Sequence, residues 1–236
     1  MRLPKRRKAM IHDENTLARK IFRLPETDRA SFSERKDFAL ITECKGAYLP
    51  HWIAEGAVYH VAFRLHDALP DAVREKLEME RRLIIDPVKN STGPLTKFER
   101  EQLLYHHSEK VDRYLDAGYG SCWLQITEIA DLIVGALQFF EGKRYSLYSW
   151  CVMPNHVHVV VQPGEKEELS KILQSWKGYT SREANKILGR SGQFWMPEYF
   201  DRIMRDDEEL VKSIEYVFDN PEKAGLRDWK WRWKII

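Results

Sequence analysis

Two histidines one residue apart, His156 and His158, stand in the run Cys151-Val152-Met153-Pro154-Asn155-His156-Val157-His158-Val159-Val160. Alternation with period two puts both imidazoles on one face of a strand and Val157 and Val159 on the other. Two imidazoles held in register supply two corners of a metal site. That is too few for a closed structural site, so the pair suits an open catalytic one completed by another residue and by substrate. The plainer reading is a half-buried strand with two histidines on its polar face. A second group lies near the end of the chain, where Tyr216 and Asn220 are four residues apart and so share one face of a helix. A phenol can act as a nucleophile, and a carboxamide oxygen can bind a hard cation. On this segment alone Tyr216 also reads as an interfacial aromatic, and Asn220 as a residue at a helix end stopped by Pro221.

These residues need elements to position them. Residues 56–65 form a β-branched and aromatic run, read as a strand. Residues 70–85 read as a helix running into Asp86-Pro87, Asn90 to Pro94 as a loop, and 96–115 as a charged amphipathic helix stopping near Gly118 and Gly120. Thr127 caps a helix reaching about Glu141. Residues 144–153 and 156–162 are strands so closely spaced that a hairpin follows, with the histidines at the start of its second strand and at a central place in the sheet. Residues 167–188 form a long helix, 189–199 an aromatic loop, and 206–219 a last helix ending before Pro221. Its apolar stripe is Leu210, Val211, Ile214, Val217 and Phe218. One strand, helices, two adjacent strands and further helices predict an α+β domain with helices packed on an antiparallel sheet. The first 45 residues are highly charged with no clear period, apart from helical pieces near 14–22 and 33–42. They are expected to be a partly mobile extension preceding a domain over 46–236.

Composition narrows the class. The chain has 236 residues, 43% hydrophobic and 31% charged, with a net charge of +2. No run approaches the ~18 apolar residues of a membrane span, and the basic start Met1 to Lys8 is not followed by a signal-peptide core. A cytoplasmic protein, monomeric or weakly dimeric, is expected. Cys44, Cys122 and Cys151 are too widely spaced for a paired-cysteine zinc site. With so small a net charge, any nucleic-acid surface has to arise from local clusters. The candidates are Trp176, Lys177, Arg182, Arg190, Phe194, Trp195, Arg202 and Arg205, combining stacking aromatics with cations for phosphates. Trp176 and Trp195 read equally as core, and Arg202 and Arg205 as a solvated face with neighbouring acids. The tail Trp229-Lys230-Trp231-Arg232-Trp233 is expected to pack its tryptophans inward, the alternative being an aromatic-basic strip for DNA.

The motifs together resemble a known family. Met153-Pro154-Asn155-His156-Val157-His158, followed by Tyr216-x-x-x-Asn220-Pro221-x-Lys223-Ala224-Gly225, is similar to the single-tyrosine transposases of the HUH endonuclease superfamily (IS200-like), and among them to the REP-associated tyrosine transposases. So are Gly189 to Trp195, Tyr199-Phe200-Asp201-Arg202 with Arg205-Asp206, and Tyr48-Leu49-Pro50-His51-Trp52 with Phe63-Arg64-Leu65. The likeness spans roughly 46–226. Met196 stands where the family commonly has Gln; the metal and tyrosine positions are intact, and the resemblance does not carry a DNA contact to residue 196. The resemblance implies a ferredoxin-like antiparallel sheet. It implies Mg²⁺ or Mn²⁺ on His156, His158 and Asn220, and Tyr216 as the nucleophile that forms a 5′-phosphotyrosine with single-stranded or hairpin DNA. Tyr179 is the rival nucleophile, without an Asn four residues on. A hairpin-binding protein without turnover and a metal-dependent hydrolase are the alternative functions.

Overall fold

Val61, Phe63, Val157, Val159 and Val161 are the inward-facing half of two alternating runs, and burying them is what pairs the strands. The structure is a computed structural model, and it describes residues 42–45, 50–54, 56–89 and 110–236. The helical piece read near 14–22, all but the last residue of the one read at 33–42, the loop at 90–94 and most of the helix at 96–115 lie outside the described residues; Thr42 itself is in a strand, not a helix. A small two-stranded unit comes first, β1 (Thr42–Lys45) antiparallel to β2 (Pro50–Ile53). Its pairing crosses the expected boundary between residues 45 and 46.

The main sheet contains β3 (Tyr59–Arg64), β4 (Tyr145–Val152), β5 (His156–Pro163), β6 (Phe200–Ile203) and β7 (Arg232–Lys234). The strand order is β6-β3-β5-β4-β7, with every neighbouring pair antiparallel. Counting from β3, the first four strands lie in the order fourth, first, third, second. Helices connect the first strand to the second and the third to the fourth, which is the ferredoxin-like arrangement. β7 is added at the β4 edge. β5 is central, as the hairpin reading required. Strand β6 was not anticipated: it is four residues long and follows a Gly- and aromatic-rich loop, so its pattern is too short to read.

The helices are α1 (Asp71–Lys89), α2 (Asp112–Asp116), α3 (Thr127–Gln138), α4 (Leu169–Ile187) and α5 (Asp207–Lys223). Thr127 is the first residue of α3 rather than its cap, and α1 continues past Asp86-Pro87 to Lys89. One face of the sheet packs on α3 and α4 through Ile129, Ile133, Leu137, Ile172, Leu173 and Trp176. On the other face Leu210, Ile214 and Val217 of α5 meet Val58, Tyr148, Cys151, Met153, Val160 and Met204. A register shift between Leu147 and Ser149 turns both Tyr148 and Ser149 toward α5, and such bulges re-aim side chains. Ser149 Oγ then lies 3.2 Å from Ile214 O and 3.1 Å from Trp233 O.

α5 begins where Asp206 caps it, its carboxylate accepting from Glu209 N at 2.7 Å, with three acids in the first turn opposing the helix dipole. The helix does not end before Pro221. It runs on to Lys223, and Ala224 N donates to Asn220 O. Pro221 lacks only its own N–H, so Asn220 keeps helical geometry and its place one turn above Tyr216. No helix among the described residues is long and apolar enough to cross a membrane.

Candidate active site

His156 and His158 are fully buried on the face of β5 covered by α5, side by side with ring centroids 4.8 Å apart. Val157 and Val159 point the other way, into the core beneath α3 and α4. The alternation read in the sequence therefore holds at every position of the pair.

Asn155, itself fully buried, orients His156. Its amide nitrogen donates to Leu115 O at 3.1 Å and Tyr119 O at 2.9 Å. Carbonyls only accept, so the amide nitrogen must face them and Oδ1 must face His156 Nδ1, 2.7 Å away. His156 Nδ1 then donates, and in the neutral ring Nε2 carries a free lone pair. Burial, with the Arg64 charge adding to it, lowers the His156 pKa to about 3, so the ring is neutral near pH 7. The turn that delivers Tyr119 O relies on Gly118 and Gly120, both at positive φ. At Gly120 a Cβ would lie 2.4 Å from Asp67 O, so only glycine fits there.

His158 is held by a third histidine that the sequence reading did not single out. His60, on β3 and on the same sheet face, brings Nε2 to 3.1 Å from His158 Nδ1. Burial drives both rings to the neutral form. His60 falls to about 4, with Arg202 contributing, and His158 is lowered further by His156 and His60. The signal for His60 was its parity, since it occupies the same phase of β3 as the inward polar face, but a lone histidine in a strand gives no further cue.

Tyr216 comes across from α5. Its ring is 5.8 Å from His60 and 5.9 Å from His158, centroid to centroid, and Lys223 Nζ lies over it at 5.0 Å. Its hydroxyl donates to Asp112 Oδ2 at 2.8 Å. Burial, then Asp112, pushes the phenol pKa well above its usual range. Burial also raises Asp112 to about 7, against the lowering effect of the Tyr216 hydrogen bond, and raises Asp116 to about 6. These groups open on a cleft of about 790 Å³ lined by His60, Asp112, Asp116, Phe200, Arg202 and Tyr216, among others.

Four buried polar atoms on these residues have no hydrogen-bond partner: His156 Nε2, His158 Nε2, Asn220 Oδ1 and Asp116 Oδ1, the last 4.0 Å from His156 Nε2. Buried polar atoms are normally paired, so the orphaned atoms on the adjoining His156, His158 and Asp116 suit a cation. Among the described residues no group of three or more His, Cys, Asp and Glu side chains is assembled as a ligand set. Asn220 Oδ1 and Asp116 Oδ1 are the orphaned oxygens that could join the two imidazoles in holding a divalent cation with open positions left.

The expected DNA-contacting residues divide. Trp176, Phe194 and Trp195 are core residues on the opposite face of the sheet. Trp176 Nε1 donates to Tyr145 OH and Trp195 Nε1 to Thr180 Oγ1, each at 2.9 Å. All three are buried, so they pack the core and do not present rings for bases to stack on, contrary to the DNA-stacking expectation. Lys177 donates to Met196 O and Pro197 O. Arg190 lies over the Trp123 ring at 4.3 Å and reaches Asn185. Arg202 and Arg205 both pair with Glu209. Arg182 is exposed on α4. In the tail, Trp229 Nε1 donates to Val152 O and Trp231 Nε1 to Asp131, while Trp233 is exposed, so inward packing holds for two of the three. Tyr179 is exposed on α4, the helix covering the other face, which separates it from the histidines.

Residues 131–220 match the family model described as "Transposase IS200 like". A Haemophilus influenzae protein assigned to the REP-associated tyrosine transposases is 24% identical over 106 residues, 39% of this chain and 60% of that protein. The REP-associated tyrosine transposase of Escherichia coli K12 is 21% identical over 95 residues, 38% of this chain and 54% of that protein. The chain thus spans little more than half the length of these curated relatives. A solved REP-associated tyrosine transposase bound to a REP hairpin is 15% identical, covering 81% of this chain and 82% of that one with a TM-score of 0.42.

Proposed function

We propose that this chain, an IS200-like transposase over residues 131–220, nicks and rejoins single-stranded, hairpin-forming DNA through a covalent link at Tyr216. One juxtaposition carries the reading: the Tyr216 ring stands 5.9 Å from His158, which with His156 keeps an unpaired, buried Nε2. His156 Nε2, His158 Nε2 and Asn220 Oδ1 would hold Mg²⁺ or Mn²⁺, which supplies positive charge to a non-bridging phosphate oxygen. Asn155 and His60 keep the two imidazoles turned toward that place by engaging the other ring nitrogen of each. The Tyr216 oxygen attacks phosphorus and displaces a 3′-hydroxyl, leaving a 5′-phosphotyrosine. One phosphodiester is exchanged for an ester of similar energy, so rejoining by another 3′-hydroxyl needs no nucleotide cofactor. A rigid helix carries Tyr216 and Asn220 together, so nucleophile and ligand arrive as one unit.

The test is a covalent adduct with single-stranded hairpin oligonucleotides and Mn²⁺, mapped by mass spectrometry. Tyr216→Phe is expected to bind hairpin DNA and form no adduct, Tyr179→Phe to form one, and Asn220→Ala to be partly rescued by higher Mn²⁺. Adduct on Tyr179, or normal adduct in Tyr216→Phe, overturns the assignment. Hairpin binding with no adduct in the unaltered protein would instead make it a binding module.

A further inference from the structure

Asp112 lies upstream of the family match, on a five-residue helix, yet it receives the hydroxyl of Tyr216 at 2.8 Å. This placement is built by the fold. Val111 and Leu115 anchor the segment in the core, and Asn155 ties Leu115 O and Tyr119 O to the same turn that orients His156. One buried side chain therefore locks the acidic helix and the histidine strand in a common frame. The phenol needs such a neighbour. Desolvation holds it in the protonated form, and a protonated phenol is a poor nucleophile unless a base takes its proton as it reacts. Lys223 stacks over the ring and offers no acceptor. The ring nitrogens His60 Nε2 and His158 Nδ1 are engaged with each other.

We propose that Asp112 is the general base of the site, taking the Tyr216 proton as the phenol oxygen attacks phosphorus. The role rests on Tyr216 being the nucleophile. In the forward step the Tyr216 O–H bond breaks and its proton passes to Asp112 Oδ2. The Tyr216 O–P bond forms, and the P–O3′ bond breaks with its electron pair on the 3′-oxygen, which takes a proton from water. In rejoining, a 3′-hydroxyl attacks phosphorus and loses its proton to water, while the Tyr216 oxygen leaves and recovers the proton from Asp112.

Asp112→Asn keeps an oxygen to accept the phenol hydrogen bond and removes only the basicity, so hairpin affinity is expected to stay within about twofold. Adduct formation is expected to fall about 100-fold or more, in the range of lost general-base catalysis. A second pair of proteins carries a more acidic phenol, 2,3,5-trifluorotyrosine at position 216, one with the parent Asp112 and one with the Asp112→Asn change. A phenol that ionises without help depends less on a base, so the Asp112→Asn deficit should shrink to under about tenfold. A separate readout needs neither DNA nor metal. With 3-fluorotyrosine at 216, ¹⁹F resonance should place phenol ionisation at a lower pH in Asp112→Asn than beside the carboxylate. Adduct formation at the unaltered rate in Asp112→Asn overturns the role, as does a deficit that fluorination leaves unchanged. An adduct mapped to a residue other than 216 overturns the nucleophile assignment itself, and the base role with it.

Discussion

At the residue scale the site depends on which nitrogen of each histidine is free. Asn155→Ala would leave His156 Nδ1, Leu115 O and Tyr119 O without their partner in a buried place. We expect a loss of about 1–3 kcal/mol of stability by denaturant titration and roughly 10–100-fold weaker Mn²⁺ binding by calorimetry. Unchanged Mn²⁺ affinity would mean that Asn155 does not orient the ring. The carboxylates give a pH signature. Asp112 is raised to about 7 by burial, so the stability tied to its neutral form is complete below about pH 4 and is lost as pH rises through about 7. The carboxamide introduced by Asp112→Asn mimics the neutral form throughout. In metal-free protein the melting temperature of Asp112→Asn relative to the parent should therefore climb between pH 4 and pH 7, and a constant difference across that window would contradict it. The residue pattern was legible where chemistry repeats with a period, as at His156 and His158. It was silent for Asp112 and His60, single residues whose partners lie 104 and 98 positions away.

At the element scale, α4 and α5 cover opposite faces of one sheet and do different work. The apolar stripe of α5 docks it on the histidine face, whereas α4 seals the other with Ile172, Leu173 and Trp176. Trp176→Phe should therefore act on stability and not on recognition. Losing the indole hydrogen bond to Tyr145 and part of the packed ring is expected to cost about 1–3 kcal/mol by denaturant titration, with hairpin affinity by fluorescence anisotropy within about twofold of the parent. A large loss of affinity in a normally folded variant would restore the DNA role read from sequence. Helix α5 also extends past the end that Pro221 predicts, to Lys223. Proline forbids its own N–H bond, but it does not stop a helix whose next turn is closed by Ala224 N to Asn220 O.

At the scale of the whole molecule, the net charge of +2 leaves no general field to draw in nucleic acid, and several basic side chains are engaged internally. Arg202 and Arg205 share Glu209, and Arg232 pairs with Glu222. Binding should then be modest, local and salt-dependent. We expect hairpin affinity to fall as salt rises from about 50 to 200 mM, with single-stranded hairpin DNA nicked in preference to perfectly paired duplex. Excess chelator should abolish nicking while leaving hairpin binding measurable. Equal nicking of duplex and hairpin, or nicking that persists in chelator, would count against the proposed chemistry.

Local pattern determined strands β3, β4 and β5, the hairpin, the face shared by the histidines and the helical step from Tyr216 to Asn220, because each is set by periodicity within one element. The order of the strands, the placing of α5 over the histidine face, the burial of Trp176 and Trp195, and the meeting of Tyr216 with Asp112 were decided by tertiary packing. Those outcomes depend on which apolar faces bury each other across long stretches of chain, and composition and spacing do not encode that choice locally. A tryptophan beside a lysine reads alike whether its ring meets a base or a core. Only the neighbour opposite it, here Tyr145 OH 2.9 Å from Trp176 Nε1, distinguishes the two.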